Sequence, residues 1–326
     1  MSAHKRIAFR RDSSRSGFVL VSVLWILAIL TVVSLGFARR AMLERQMAWY
    51  ALDREQAQQM ARGAAERALL ELRNKALLDE YDDQEGYTGL DQRWAIPVDL
   101  FRESTFFAEA SEGGFEEDVC EYTIEDCERR ISLNDAPGEY LEALDVLRFK
   151  TIAAILERRS PKVRGYQAHW FYSIEELRSL QDFSDEEWYG SWGEPGLRDM
   201  LSVWGDAAGG RVNVNTASAA VLRSLPGIER RVADAIIGYR SGNDGQLYTA
   251  DDRSFTSIDE IGGRLEISAE KLTPIRRYCK TNSWFFTIKA RATRRRGKIN
   301  AFCTVVVEMR GATPVILEWK EQASGA

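Results

Sequence analysis

Twenty consecutive residues without a charge, Phe18 to Phe37 (FVLVSVLWILAILTVVSLGF), constrain this chain more than any other feature. At about 1.5 Å per residue, a helix of that length spans a hydrocarbon core of roughly 30 Å. The residues before it are basic: Lys5, Arg6, Arg10, Arg11 and Arg15 stand against Asp12 alone. That asymmetry keeps the leader cytoplasmic and sends everything after Arg39 to the other side. A cleavable secretory signal would have a shorter apolar core ending in a small-x-small cut. Here RSG precedes the run and ARRAMLERQ follows it, so the segment reads as retained.

No proline occurs before Pro97, and helix-forming sequence continues past the span. Apolar or small residues recur at Met47, Tyr50, Met60, Ala61, Ala64, Ala68, Leu69 and Leu72, largely three and four apart. The pattern predicts one helix of more than fifty residues over 18–77, on the order of 80 Å long. The chain of 326 residues, 45% hydrophobic and 29% charged, then has material for two or three packed units. Its net charge is -5. The leader holds five of the 44 basic residues and one of the 49 acidic ones, so the rest is more acidic than the total suggests. Such a body is a poor starting point for affinity built on phosphate neutralisation.

Four cysteines, Cys120, Cys127, Cys279 and Cys303, fall beyond the span, where disulfides persist. Four thiols allow three pairings. The short separation favours Cys120 with Cys127, and free buried thiols stay open beside that.

Residues 78–114 are acidic and aromatic and read as irregular, with Trp94 and Pro97 as packing points. FEEDVCEYTIEDCERRISLN reads as two short strands with a turn near Glu125 and Asp126. Near the end, Trp284–Ala292, Ile299–Met309 and Thr313–Trp319 read as three strands, with RATRRRGK (Arg291 to Lys298) as a solvated hairpin turn between the first two. The stretch between these β-rich pieces is mostly helical and internally duplicated. RISLNDAPGEYLEALDVLRFKTIAAILERR matches RVNVNTASAAVLRSLPGIERRVADAIIGYR in register, and FYSIEELRSLQDFSDEE matches FTSIDEIGGRLEISAEK. Ser173 with Glu176, and Ser257 with Glu260, have capping-box spacing.

A basic leader ending in Gly17, an aromatic Phe18 and one long helix leading into a soluble domain resemble a type IV pilin or pseudopilin. The resemblance implies that a prepilin peptidase cuts between Gly17 and Phe18 and methylates the new amino terminus. The fifth residue after the cut is usually Glu in that family, where it neutralises the terminal amine of a neighbouring subunit; here it is Ser22. A subunit at the filament tip has no subunit above it to neutralise. That departure, together with the duplicated insertion, resembles the K-type minor pseudopilin of the type II secretion system, the general secretion pathway protein K family.

The resemblance implies an α+β, pilin-like fold: a long N-terminal α-helix plus an antiparallel sheet, with a large inserted duplicated all-α domain of SAM-like or helix-hairpin-helix-like type. Its expected boundaries are a leader at 1–17, the long helix at 18–77 and the first part of the pilin-like domain at 78–134. The helical insert follows at 135–280, with subdomains at about 130–205 and 211–280, and the last strands at 281–326. It further implies a single-pass protein of the bacterial inner membrane with its bulk in the periplasm. The implied partners are I- and J-type minor pseudopilins, the major pseudopilin, the prepilin peptidase, the inner-membrane assembly platform, and secreted cargo or the outer-membrane secretin.

Arg211 to Arg240 reads as a helix-hairpin-helix around Leu-Pro-Gly-Ile, whose turn amides bind phosphate in DNA-binding versions. Glu229 stands where such hairpins commonly carry a second glycine, and its carboxylate repels DNA. Arg211, Arg223, Arg230, Arg231 and Arg240 are nearby. The hairpin is read as a packing and protein-contact unit with no nucleic-acid partner; a membrane-anchored DNA receptor is the alternative. Between the matched segments of the second copy, Asn243, Asp244, Asp251 and Asp252 share a Gly-rich loop whose oxygen donors suit Ca²⁺, though not with EF-hand spacing. The resemblance, in which calcium sits in the helical domain, adds to the reading of a structural ion. His4 and His169 are the two histidines, and no nucleophile elbow, Walker loop, His-Glu-x-x-His or Cys-x-x-Cys occurs. No catalytic residues are assigned and no enzymatic activity is expected.

Overall fold

A computed structural model describes residues 13–81, 86–103, 118–160, 170–206, 209–249, 251–295 and 297–325. Most of the leader, and His4 and His169, lie outside the described residues. The chain divides into two units, Met1–Glu55 and Gln56–Ala326, and each is taken by itself. A single helix, α1 (Ser13–Tyr81, 69 residues), accounts for the described part of the first unit and continues into the second. It is on the order of 100 Å long. Past Gln56 it turns a stripe of alanines inward: Ala57, Ala61, Ala64, Ala65 and Ala68, followed by Leu72, are all almost fully buried. Alanine at these positions favours the helix and lets a sheet approach closely.

Downstream, β1 (Val98–Asp99) and β2 (Val119–Asp126) are followed by β3 (Ile131–Ser132). Next come a small hairpin of β4 (Gly190–Ser191) and β5 (Glu194–Pro195), then β6 (Leu201–Ser202) and β7 (Val212–Asn213). The chain closes with β8 (Cys279–Lys280), β9 (Phe285–Arg294), β10 (Ile299–Glu308) and β11 (Val315–Gly325). The main sheet is antiparallel in the order β1-β2-β9-β10-β11. Its strands are rich in Val, Ile, Thr and Phe, and alternate residues point inward: Tyr122 and Ile124 on β2, Phe286 and Ile288 on β9, Cys303, Val305 and Val307 on β10. The Cys120 Sγ lies 3.5 Å from the Met60 carbonyl oxygen, which sets this inner face against the alanine stripe.

Two details differ from the sequence reading. The turn expected at Glu125 and Asp126 falls later, because β2 pairs without a break from Val119↔Thr293 to Asp126↔Phe286. The Asp126 side chain instead accepts from the Glu128 amide and starts a 3₁₀ turn over Cys127–Arg129. The last strand starts and ends later than expected, at Val315 and Gly325, because β10 offers a partner as far as Ile299↔Gly325. Of the two packing points in the irregular stretch, Trp94 is buried with its ring edge-on to Phe286 at 5.3 Å, whereas Pro97 is exposed.

Between β2 and β9 lies the helical insert. Each copy is closed by a two-residue parallel pairing, Ile131↔Leu201 with Ser132↔Ser202 in the first and Val212↔Cys279 with Asn213↔Lys280 in the second. Asparagines at matched positions do the same work in both. Asn134 Nδ2 donates to the carbonyls of Phe171 and Val203 while its Oδ1 accepts from the Phe171 amide. Asn215 does so with Phe255 and Thr281. Matched arginines close the second helix of each copy: Arg159 donates to the Leu133 and Ala136 carbonyls, and Arg240 to those of Val214 and Ala217. One buried apolar cluster runs through both copies, from Ile131 to Cys279, with Tyr140 of the first edge-on to Tyr278 of the second at 5.1 Å. Ser173 and Glu176 form the expected capping box. Ser257 makes no side-chain cap; its partner Glu260 is already occupied by the Thr256 amide and hydroxyl and by Arg264.

Candidate functional site

In the first unit the apolar run forms the exposed surface of α1, with Phe18 76% and Phe37 69% accessible. This is the one helix, among the described residues, long and apolar enough to cross a membrane. Two of the three hydroxyls in the Phe18–Phe37 run bond within the helix. Ser22 Oγ donates to the Phe18 carbonyl at 2.9 Å and Thr31 Oγ1 to that of Leu27 at 2.7 Å, so neither leaves a bare polar group at bilayer depth. The Gly17–Phe18 bond lies within the helix.

The hairpin of the second copy is built from helices at Ala219–Ser224, capped by Ser218, and Arg230–Arg240. At Gly227 the chain has φ +76, and a Cβ there would meet the Pro274 ring at 3.1 Å, so the turn is seated on the Ala269–Tyr278 helix. Its charges are engaged inside the protein. Glu229 takes Lys271 at 2.8 Å, Arg223 and Arg230 both face Asp234, and Arg211 faces Asp206. Arg240 is buried, which pushes its guanidinium down to about 10. Arg231 alone of the five arginines is both exposed and without an ion pair among the described residues. Little cation is left over for phosphate.

Asn243, Asp244, Asp251 and Asp252 do come together in one loop. Gly242, at φ +61, opens a cradle for Asp251: a Cβ would fall 2.5 Å from its Oδ2. That oxygen accepts from the amides of Asn243 (2.6 Å) and Asp244 (3.3 Å), while Oδ1 accepts from the Thr249 hydroxyl. These bonds, the Asn243 amide first, hold the Asp251 carboxyl below its usual range. Asp252 accepts from the amides of Tyr248 and Thr249, and Asn243 Oδ1 from Arg253. By donor type the set suits calcium. Among the described residues, however, no three acidic, His or Cys side chains are gathered as a ready-made cage.

All four cysteines are buried and free, so the favoured Cys120–Cys127 disulfide is not formed. The two thiols face different partners: Cys120 the Met60 carbonyl, Cys127 the Thr287 hydroxyl at 3.1 Å. Burial pushes both up to about 12, leaving them protonated and inert.

A buried polar junction, not foreseen from the sequence, ties sheet to insert. Asp126 Oδ2 accepts from Asn213 Nδ2 (2.9 Å), Thr216 Oγ1 (2.6 Å) and Ser283 Oγ (2.6 Å). Next to it, the fully buried Glu128 accepts from the Trp284 amide at 2.7 Å and faces Lys280 Nζ at 2.9 Å. Lys280 is 4.0 Å from Asp206. Burial pushes the Glu128 carboxyl up to about 7, with Lys280 opposing the shift and Asp126 adding to it.

A helix-hairpin-helix motif family matches residues 207–252. No curated protein matches the chain. Among solved structures, a chain in the crystal structure of the GspK-GspI-GspJ complex from the type 2 secretion system of enterotoxigenic Escherichia coli is similar, at 15% identity and a TM-score of 0.50. The match covers 88% of this chain and 99% of that one. At that identity the likeness speaks for the fold: a pilin-like helix and antiparallel sheet interrupted by a helical insert.

Proposed function

We propose that this chain is a minor pseudopilin of a type II secretion system, anchored in the bacterial inner membrane by Phe18–Phe37 with its second unit in the periplasm. It would cap the tip of the pseudopilus and help start its assembly. The observation that carries the reading is the pairing, in one chain, of an exposed apolar helix with a sheet split by a duplicated helical insert. The likeness in fold to the solved secretion-system chain, over most of both lengths, supports it.

The work is assembly rather than catalysis. In the filament the apolar face would leave lipid for neighbouring apolar helices, with no loss of hydrogen bonding because Ser22 is already satisfied. With serine there, the subunit offers no carboxylate to a terminal amine, which suits the last position in a stack. The insert between Asp126 and Phe285 enlarges the head beyond what another subunit could stack upon. I- and J-type minor pseudopilins are the expected immediate partners; the major pseudopilin, the assembly platform, and cargo or secretin complete the set.

Co-expression with a prepilin peptidase is expected to give a chain beginning at N-methylated Phe18, read by mass spectrometry of the amino terminus. An intact leader, or a cut elsewhere, would overturn the reading. Salt-sensitive DNA binding by the full chain would then put the hairpin's alternative role, DNA uptake, in its place.

The acidic loop is proposed to take a structural Ca²⁺ on Asp251, Asp252, Asp244 and the Asn243 side-chain oxygen. Bound calcium would supply the charge now provided by amide donors and hold the loop. At a concentration about 100 times its Kd, the ion adds about 2.7 kcal/mol, roughly 5–10 °C in Tm for a unit of this size. Thermal unfolding in millimolar calcium, compared with a chelator, should show that rise in the parent and not in a chain carrying Asp251→Asn and Asp252→Asn. An equal Tm in both media sinks the calcium site.

A further inference from the structure

The two copies of the helical insert differ in length at one place. Trp188 corresponds to Leu272 in the matched segments, and Leu201 to Cys279 in the closing strand pairs. The first interval is six residues longer than the second, and the β4–β5 hairpin, Gly190 to Pro195, is six residues long. The second copy reaches the same asparagine fork and the same closing pair without it. The hairpin is an addition that the repeat's core does not need.

The way it is built points outward. Its two-residue loop is Trp192–Gly193, with φ +23 and +89. A left-handed first position in such a loop favours Asn, Asp or Gly, and a bulky aromatic there is strained. The ring gains nothing within the chain in return: Trp192 is 105% exposed, while Trp188, four residues earlier, is buried against Phe183. The base is stiff. Gly190 has φ +84, and a Cβ there would lie 2.3 Å from the Glu194 carbonyl oxygen. A strained, preorganised turn that holds a large apolar ring in water has the form of a binding hot spot without its partner.

The surroundings select the partner's charge. At the foot of the hairpin is a cleft of about 360 Å³ lined by Asp145, Glu186, Glu187 and Glu194, with Leu144 and Met200 as apolar wall. Asp145, Glu186 and Glu194 have no ion pair among the described residues, and Arg223, also at the cleft, is held by Asp234. Such a skirt repels an anionic lipid surface and attracts a basic one. We infer that the Gly190–Pro195 hairpin is a docking finger for a basic segment of a protein partner, whose aliphatic side chains pack on Trp192 while a Lys or Arg enters the acidic cleft. The inference does not depend on the secretion reading, since amino-terminal processing leaves the hairpin untouched.

The test is fluorescence anisotropy of a labelled leucine–arginine hexapeptide with the full chain in neutral detergent at low salt. Binding is expected to weaken at least tenfold in Trp192→Ala and in the pair Glu186→Gln with Glu194→Gln, and a leucine–glutamate peptide should not bind. No binding, equal binding of the acidic peptide, or a Trp192→Ala chain as tight as the parent would overturn the proposal. Trp192→Asn separates docking from folding. It places a residue the turn favours, so it should lose the peptide while keeping or raising Tm; a lower Tm would make Trp192 a structural residue and also end the proposal.

Discussion

A chain carrying Lys280→Met is expected to lose about 3–5 kcal/mol of stability at pH 8, the usual loss when one member of a buried ion pair is removed. For a unit of this size that is roughly 6–20 °C in Tm. The loss follows from what remains: Glu128 fully buried, with the Asp126 carboxylate close by and its own cation gone, while Arg211 stays with Asp206. At pH 5 the loss should be clearly smaller. The folded-state carboxyl of Glu128 is raised to about 7, above its unfolded value, so its protonated form favours the fold. That contribution is fully present below the unfolded carboxylate pKa and is lost as pH rises through 7. The parent should therefore soften modestly between pH 5 and pH 8 on account of this group, and Lys280→Met should soften more steeply. Adding Glu128→Gln to Lys280→Met removes the stranded charge and should recover much of the loss at pH 8. Equal losses at both pH values, or no recovery in the double variant, would show that Lys280 matters for its bulk alone.

How far the sequence discloses this molecule depends on how local each signal is. The apolar span is a run of adjacent residues, and β9 and β10 are unbroken runs of strand-forming residues, so both are legible. The duplication is legible because each copy keeps its asparagine and its helix-closing arginine at the same spacing, Asn134 to Arg159 and Asn215 to Arg240. The end of β2 is not legible. Glu125 and Asp126 look like a turn by composition, but the strand's length is set by pairing with β9, more than 150 residues away. The buried junction is hidden for the same reason: Asp126 finds its partners 87, 90 and 157 residues further on. The acidic loop is intermediate. Its four oxygen-bearing side chains are visible as a cluster, while the fact that Asp251 and Asp252 are turned onto backbone amides is a property of the folded loop. Trp192 shows the opposite limit, since nothing in GSWGEP tells a buried tryptophan from an exposed one until the turn's handedness is known.

The repeat makes its own test possible. Asn215→Ala removes a side chain that serves three backbone groups, the amide and carbonyl of Phe255 and the carbonyl of Thr281, at a site with no exposure. Leaving a buried polar group without its partner costs about 1–3 kcal/mol, so the three together should cost about 3–5 kcal/mol. Asn134→Ala strips the matching three, the amide and carbonyl of Phe171 and the carbonyl of Val203, and should cost a similar amount. Asn215→Asp should be worse than the alanine change near neutral pH. It removes both donors, keeps the volume and places a charge against two carbonyl oxygens. Denaturant unfolding of the three variants measures this directly. The two alanine changes share no side-chain partner, so each reports on its own copy, and comparable losses mean that both copies are held by the same fork. A loss under about 1 kcal/mol at one site beside a large loss at the other would mean that only one copy relies on its asparagine. The shared core from Ile131 to Cys279 would then have to hold the other copy in place without it.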